Sequence, residues 1–155
     1  MAAGDILKES GLVVESFTIK ASEDIEKGEL CYDDGNGLLA ATAAVAAVSK
    51  VVMALETRVY ATDTTNGAGH VTQCVVKGIV IAQKVSGSGA ASKLDKIMVS
   101  GTAGEVAKFV AGDVTATVNE STTEAANLVN LGVVGFATKA SLAADVVQEM
   151  YLGGA

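Results

Sequence analysis

The segment Leu12-Val13-Val14-Glu15-Ser16-Phe17-Thr18-Ile19-Lys20 decides how this chain is read. Val13, Phe17 and Ile19 fall on one face at a period of two, with Glu15 the single exception, and that alternation is the pattern of a half-buried strand. Short runs of the same kind recur downstream, at Glu29–Tyr32, Val51–Glu56, His70–Val76, Gly78–Gln83, Lys96–Ser100, Val106–Val110, Val114–Asn119, Leu131–Thr138 and Val146–Leu152. Asp33-Asp34-Gly35-Asn36-Gly37 and Thr65-Asn66-Gly67-Ala68-Gly69 supply the Asp-Gly and Asn-Gly steps of tight turns, because those residues tolerate the left-handed conformation. Ser86-Gly87-Ser88-Gly89 reads as a flexible connector. The alanine-rich stretch Leu38–Ser49 favours one short helix, and a second is expected at Thr122–Asn127 or Leu142–Asp145. The fold expected is mainly β, a small β-barrel or β-sandwich with one or two short helices.

Upstream of the deciding segment, residues 1–11 contain Gly4 and Gly11 and only Ile6 and Leu7 as large apolar groups. They read as a flexible N-terminal arm, and residues 12–155 as a single β-rich domain. The order of features also recurs. Glu26–Tyr32, a glycine turn, Leu38–Ala40, Val51–Leu55 and the strand around Val75 are followed by Lys93–Val99, a glycine turn, Val106-Ala107, Leu131–Ala137 and Val146–Met150. A pseudo-duplicated barrel and a chance repetition within a Val- and Gly-rich meander are both open readings.

With 155 residues and half of them apolar, the chain is long enough to bury a core without a metal or disulfides. Three Phe, three Tyr and no Trp mean that the core is built from Val, Ala, Leu and Ile. A net charge of −7 lacks the basic stripe that releases counterions from phosphate, which argues against nucleic acid, and it is unhelpful at an anionic membrane. No apolar run reaches the roughly 18 to 20 residues of a spanning helix; Lys50 interrupts the longest, Leu38–Leu55. The first ten residues carry acids where a signal peptide has a basic end, so an intracellular product with free Cys31 and Cys74 is expected.

No constellation for catalysis stands out. His70 is the only histidine, so a nucleophile–His–acid arrangement has one place to form, beside Gly69 at a strand start. Two Cys with one His and no Cys-x-x-Cys spacing do not make a zinc site. Asp33, Asp34 and Asn36 lack the ligand alternation and the closing Glu of a calcium loop. Gly87–Lys93 lacks the Gly-Lys-Ser/Thr ending of a phosphate loop. Glu23 and Asp24 read as a solvated acidic face. The expectation is a protein that is not an enzyme, with no cofactor, no metal and no small-molecule substrate.

Four runs carry a family likeness: Lys27-Gly28-Glu29-Leu30-Cys31-Tyr32-Asp33, then Gly37-Leu38-Leu39-Ala40-Ala41-Thr42, then Val51-Val52-Met53-Ala54-Leu55-Glu56, then Val75-Val76-Lys77-Gly78-Ile79-Val80. In this order they resemble the head decoration, or cement, proteins of tailed bacteriophages, with Glu29 where that family usually has Asp and Met53 interrupting its usual Val-Gly-Val. The resemblance implies a protein made in the host cytoplasm and carried on the outer surface of the virion. There it would bind the major capsid protein, commonly as a homotrimer, and lock neighbouring subunits. On that reading Ile6, Leu7, Leu12 and Val13 are the partner-binding residues, because an apolar-tipped arm can add to an exposed sheet edge. A tail or baseplate protein and a self-assembling shell or surface-layer subunit are the alternatives.

Overall fold

The computed structural model describes residues 2–46, 49–110 and 133–153, the side chains of residues 7–10 excepted. It is mainly β and barrel-like, with nine strands and two short helices among the described residues: β1 (Ile6–Thr18), β2 (Leu30–Asp33), β3 (Leu38–Ala40), α1 (Ala43–Ala46), β4 (Val52–Ala54), α2 (Tyr60–Asn66), β5 (Val71–Gln83), β6 (Lys96–Val99), β7 (Val106–Lys108), β8 (Val133–Ala137) and β9 (Val147–Leu152). The expected strand at Val114–Asn119 and the expected helix at Thr122–Asn127 lie outside the described residues.

The strands form one curled antiparallel sheet in the order β3-β2-β4-β5-β9-β8-β6-β7, with β1 also paired to β5. Two units emerge from this order. In the first, β1, β5, β4, β2 and β3 are successive neighbours, and a parallel bridge between Ile19 and Leu38 ties β3 back to the end of β1. In the second, β5, β9, β8, β6 and β7 follow in the same way, and a parallel bridge between Lys84 and Val106 ties β7 back to the end of β5. β5 therefore serves both units, as last strand of one and first strand of the other.

The equivalence extends to individual pairs. Leu30 opposite Met53 corresponds to Lys96 opposite Phe136, and Cys31 opposite Val52 to Ile97 opposite Gly135. Thr18 opposite Val71 corresponds to Gln83 opposite Val147. The bridge Ile25–Arg58 corresponds to Ala91–Ser141. Single hydrogen bonds match too: Ile19 N–H donates to His70 O and Lys84 N–H to Val146 O, at 2.8 and 2.9 Å. The repeated order of sequence features is thus a repeated architecture, with a constant spacing inside each matched segment.

Each unit is narrow, which explains the composition: the interior of a small barrel is filled by inward side chains of modest size. Ile19, Ile25, Cys31, Leu38, Val52, Ala54 and Cys74 form the buried core of the first unit. Their counterparts Ala91, Ile97, Val106, Ala137 and Met150 lie in the larger cluster that fills the second unit and the junction. Gly135, the counterpart of Val52, has no side chain because the Tyr151 carbonyl occupies the place of its Cβ.

Two local expectations are corrected and one is narrowed. Within Leu38–Ser49, where one short helix is expected, the first three residues are a strand, because Leu38, Leu39 and Ala40 pair with Asp33, Tyr32 and Cys31 and Leu38 is fully buried; pairing and burial override alanine's propensity here. Helix in this region is confined to Ala43–Ala46. Leu142–Asp145 is a turn, closed by an Asp145 N–H to Leu142 O bond of 3.2 Å. His70–Val76 and Gly78–Gln83, read as two strands, are the single strand β5. Gly78 keeps it continuous at φ 150°, with Leu12 Cδ1 lying 2.6 Å from where a Cβ would sit.

Candidate functional site

The charged side chains of the described residues are mostly turned onto the chain itself, and one small motif does much of this. In the turns Ala2–Asp5, Glu26–Glu29, Ser92–Asp95 and Leu142–Asp145, the last residue donates its N–H to the carbonyl of the first. Its carboxylate in turn accepts the N–H of that first residue, at 2.8, 2.9, 2.8 and 2.7 Å respectively. Each turn is latched twice, by backbone and by carboxylate, in the way an Asx-type side chain substitutes for a backbone partner. The Asp5 and Asp95 carboxyls are held below the usual aspartate range, first by the Ala2 and Ser92 amides and then by Lys27 and Lys108. Glu29 moves the other way, because burial disfavours its charge and the nearby Glu26 and Glu105 add repulsion.

The densest polar cluster closes one end of the first unit. His70 Nδ1 lies 2.6 Å from Asp63 Oδ2, and His70 Nε2 lies 2.8 Å from the Glu23 carbonyl. Arg58 donates from Nε to Asp63 Oδ2 at 3.2 Å and from Nη2 to the Gly69 carbonyl at 2.8 Å. Asp24 Oδ1 accepts the Tyr60 N–H at 2.8 Å and so caps α2, whose N-cap residue, Val59, makes no capping side-chain bond. The Tyr60 ring meets the His70 ring edge-on at 5.2 Å. The His70 contact above all, then Arg58, holds the Asp63 carboxyl below its ordinary range. An Asp–His pair of this length resembles a catalytic pair on paper, yet both ring nitrogens are engaged within the fold. The cluster is a clamp that fixes α2 to the barrel end.

The second unit is closed differently. Lys84, 3 % exposed, occupies the place of Ile19 and donates from Nζ to the Leu142 carbonyl at 2.9 Å. Gln148, the counterpart of Thr72, is buried too; it accepts from Ser141 Oγ at 2.6 Å and donates to the Lys139 and Glu149 carbonyls. Neither residue carried a signal in the sequence, since Lys84 reads as solvated and Gln148 as an ordinary strand position. The repeated turns were legible in principle, as an acid closing each of Ala2-Ala3-Gly4-Asp5, Glu26-Lys27-Gly28-Glu29 and Ser92-Lys93-Leu94-Asp95.

The candidate partner-binding residues are distributed as follows. Ile6 and Leu12 are partly buried against the main core, Leu12 over Gly78, and Val13 is 42 % exposed beside Val14 at 38 %. Leu7 lies in β1, and its side chain is outside the described set. The N-terminal segment has partners within the fold: Gly4 N–H donates to Ile81 O at 2.6 Å, and Ile81 N–H donates to Asp5 O at 3.0 Å. The register of β1 against β5 breaks between Lys8 and Val13, where Gly11 takes φ 78°.

Cys31 and Cys74 are free and buried, in the same small core. Burial pushes the Cys31 thiol up and the Cys74 thiol up to about 12, which holds both in the protonated form. Among the described residues no group of three or more His, Cys, Asp or Glu could hold a metal, and no helix is long and apolar enough to cross a membrane. A surface hollow of about 540 Å³ is lined by Val85, Met98, Ala107 and Lys108, and the Ser100 hydroxyl at its edge is already bonded to Thr102 in both directions. No protein-family model, no curated protein and no solved structure matches this chain.

Proposed function

We propose that this protein is a non-catalytic structural subunit that binds the outer surface of an assembled viral head and stabilises the contacts between its capsid subunits. The observation that carries the reading is the internal repetition: two equivalent five-stranded units in one shared sheet. A repeated surface offers equivalent sites at fixed spacing, and a chain with two equivalent units can engage two of them at once. The second contact then forms at the high effective concentration set by the first. An acidic exterior, with carboxylates engaged in their own turns, suits the outside of a shell that packages nucleic acid. Binding the assembled state alone stabilises it by mass action, by about 2.7 kcal/mol per site at a free concentration 100 times Kd.

The test is co-sedimentation of the purified protein with heads of the parent virus, followed by electron microscopy of the same particles. Saturable binding, added density on the outer surface and a higher disruption temperature support the proposal. Failure to bind expanded heads at micromolar concentrations refutes it, and density on tails or baseplates instead replaces it with the tail-protein alternative.

A further inference from the structure

At three steps an aspartate or asparagine precedes glycine: Asp34-Gly35, Asn36-Gly37 and Asn66-Gly67. With no side chain on the following residue, the next backbone nitrogen can reach the side-chain carbonyl and close a cyclic imide, provided its N–H is not held elsewhere. The fold treats the three steps differently. Gly35 N–H donates to Asp33 Oδ1 at 2.8 Å. The Asp34 carboxylate accepts from Lys20 Nζ at 2.6 Å and from the Asn36 N–H at 2.8 Å, and these bonds keep it ionised and a poor target for attack. Asn66 is the last residue of α2 and Gly67 N–H donates to Thr64 O at 3.3 Å, so ring closure there must first unwind the end of the helix. Gly37 is buried against the Lys20 backbone, yet among the described residues its N–H has no hydrogen-bond partner. The Asn36 side chain beside it is exposed and makes no hydrogen bond among the described residues. A buried amide without a partner is rare, and this one adjoins a free carboxamide.

We infer that Asn36 is a self-modification site, at which the Gly37 nitrogen closes on the Asn36 side chain and the ring reopens to an acid. The Gly37 nitrogen bonds to Asn36 Cγ, the Cγ–Nδ2 bond breaks, and Nδ2 leaves as ammonia with the proton that the Gly37 amide gives up. Water then opens the imide. Addition at Cγ leaves aspartate; addition at the main-chain carbonyl leaves isoaspartate, whose backbone runs through Cβ and is one carbon longer. The longer product falls where the chain has no slack. Gly37 O accepts the Asp34 N–H at 3.2 Å, Leu38 O accepts the Lys20 N–H at 3.0 Å, and Lys20 backbone atoms lie 2.6 Å from where a Gly37 Cβ would be. The parallel bridge between Ile19 and Leu38, which ties β3 back to the end of β1, comes directly after. Isoaspartate at position 36 therefore loosens that seam, whereas aspartate adds a charge and leaves the backbone as it was. The site stands apart from the function proposed above.

The test is peptide mapping by mass spectrometry of the whole protein, incubated folded and in denaturant at neutral and mildly alkaline pH. In denaturant the two Asn-Gly steps should convert at similar rates. In the folded protein Asn36 should convert at least about tenfold faster than Asn66, because only Asn66 must give up a hydrogen bond and a helical turn. The rate at Asn36 should climb with pH, as more of the attacking amide is deprotonated. Asn36→Gln, whose longer side chain closes such a ring poorly, should stay unmodified at that position and melt with the parent. The isoaspartyl form, isolated by chromatography, should melt at least about 3 °C below the parent, and Asn36→Asp should stay within that margin. Folded rates that are equal at the two asparagines, or faster at Asn66, overturn the inference. An isoaspartyl form that melts with the parent overturns the effect on the seam.

Discussion

Gly28 and Leu94 stand at the same position of the two units: each takes a positive φ, 89° and 73°, and each donates its amide to the last residue of the neighbouring strand, Ala54 at 2.8 Å and Ala137 at 2.7 Å. Only at Gly28 is the neighbouring space filled. Gly28→Ala should therefore destabilise the fold by about 2–4 kcal/mol, the left-handed conformation and the contact with Ala3 both counting against it. Chemical denaturation of the variant checks this, and a loss below about 1 kcal/mol would mean that the N-terminal segment gives way easily.

The clamp at Asp63 sets an acid limit. Its carboxyl titrates below the ordinary value of 3.8 in the folded protein, so its contribution is present above the unfolded value and is lost as pH falls through the folded one. Asp5, Asp34 and Asp95 are shifted in the same direction. Stability should hold down to about pH 4 and fall below it, and Asp63→Asn should flatten part of that fall. Melting curves between pH 2 and 7 decide the matter; a variant with the parent's acid profile would remove Asp63 from the account.

Glu29 carries the opposite sign. Its folded value is raised, so the charged form is disfavoured and its contribution becomes unfavourable as pH rises through that value. Glu29→Gln keeps an oxygen to accept the Glu26 amide and should raise the melting temperature at pH 7 by a small amount that vanishes near pH 3.5. A lower melting temperature at pH 7 would show that the carboxylate's latch outweighs its desolvation.

Lys84 tests the polar closure of the second unit. Lys84→Ala removes the ammonium donor from the Leu142 and Ala143 carbonyls, which keep the Asp145 and Gly87 amides, and opens a hole, and should cost about 2–4 kcal/mol. Lys84→Met, which keeps the packing, should cost less. Equal losses in the two variants would place the whole contribution in the hydrogen bonds.

His70→Ala removes two hydrogen bonds and should lower stability by about 1–2 kcal/mol while leaving shell binding intact. Thermal unfolding and co-sedimentation, run on the same preparation, separate the two effects. Loss of binding with an unchanged melt would give His70 a direct role in the contact.

The amino-acid sequence by itself determined the β character, the place of most strands, the small-residue core and the order in which the features recur, because each rests on local periodicity and on residue volume. Val13, Phe17 and Ile19 alternate whatever surrounds them, and the free thiols of Cys31 and Cys74 are expected from the acidic first residues, which do not read as a signal peptide. Tertiary structure alone decided the rest. Leu38–Ala40 is a strand only because β2 lies beside it, and α2 exists only because Asp24, Arg58 and His70 converge on it from distant segments. Lys84 is buried only because the Leu142 turn brings carbonyls to its ammonium. Leu94 and Leu142 are exposed only because nothing else in the described structure covers them, which no local pattern records.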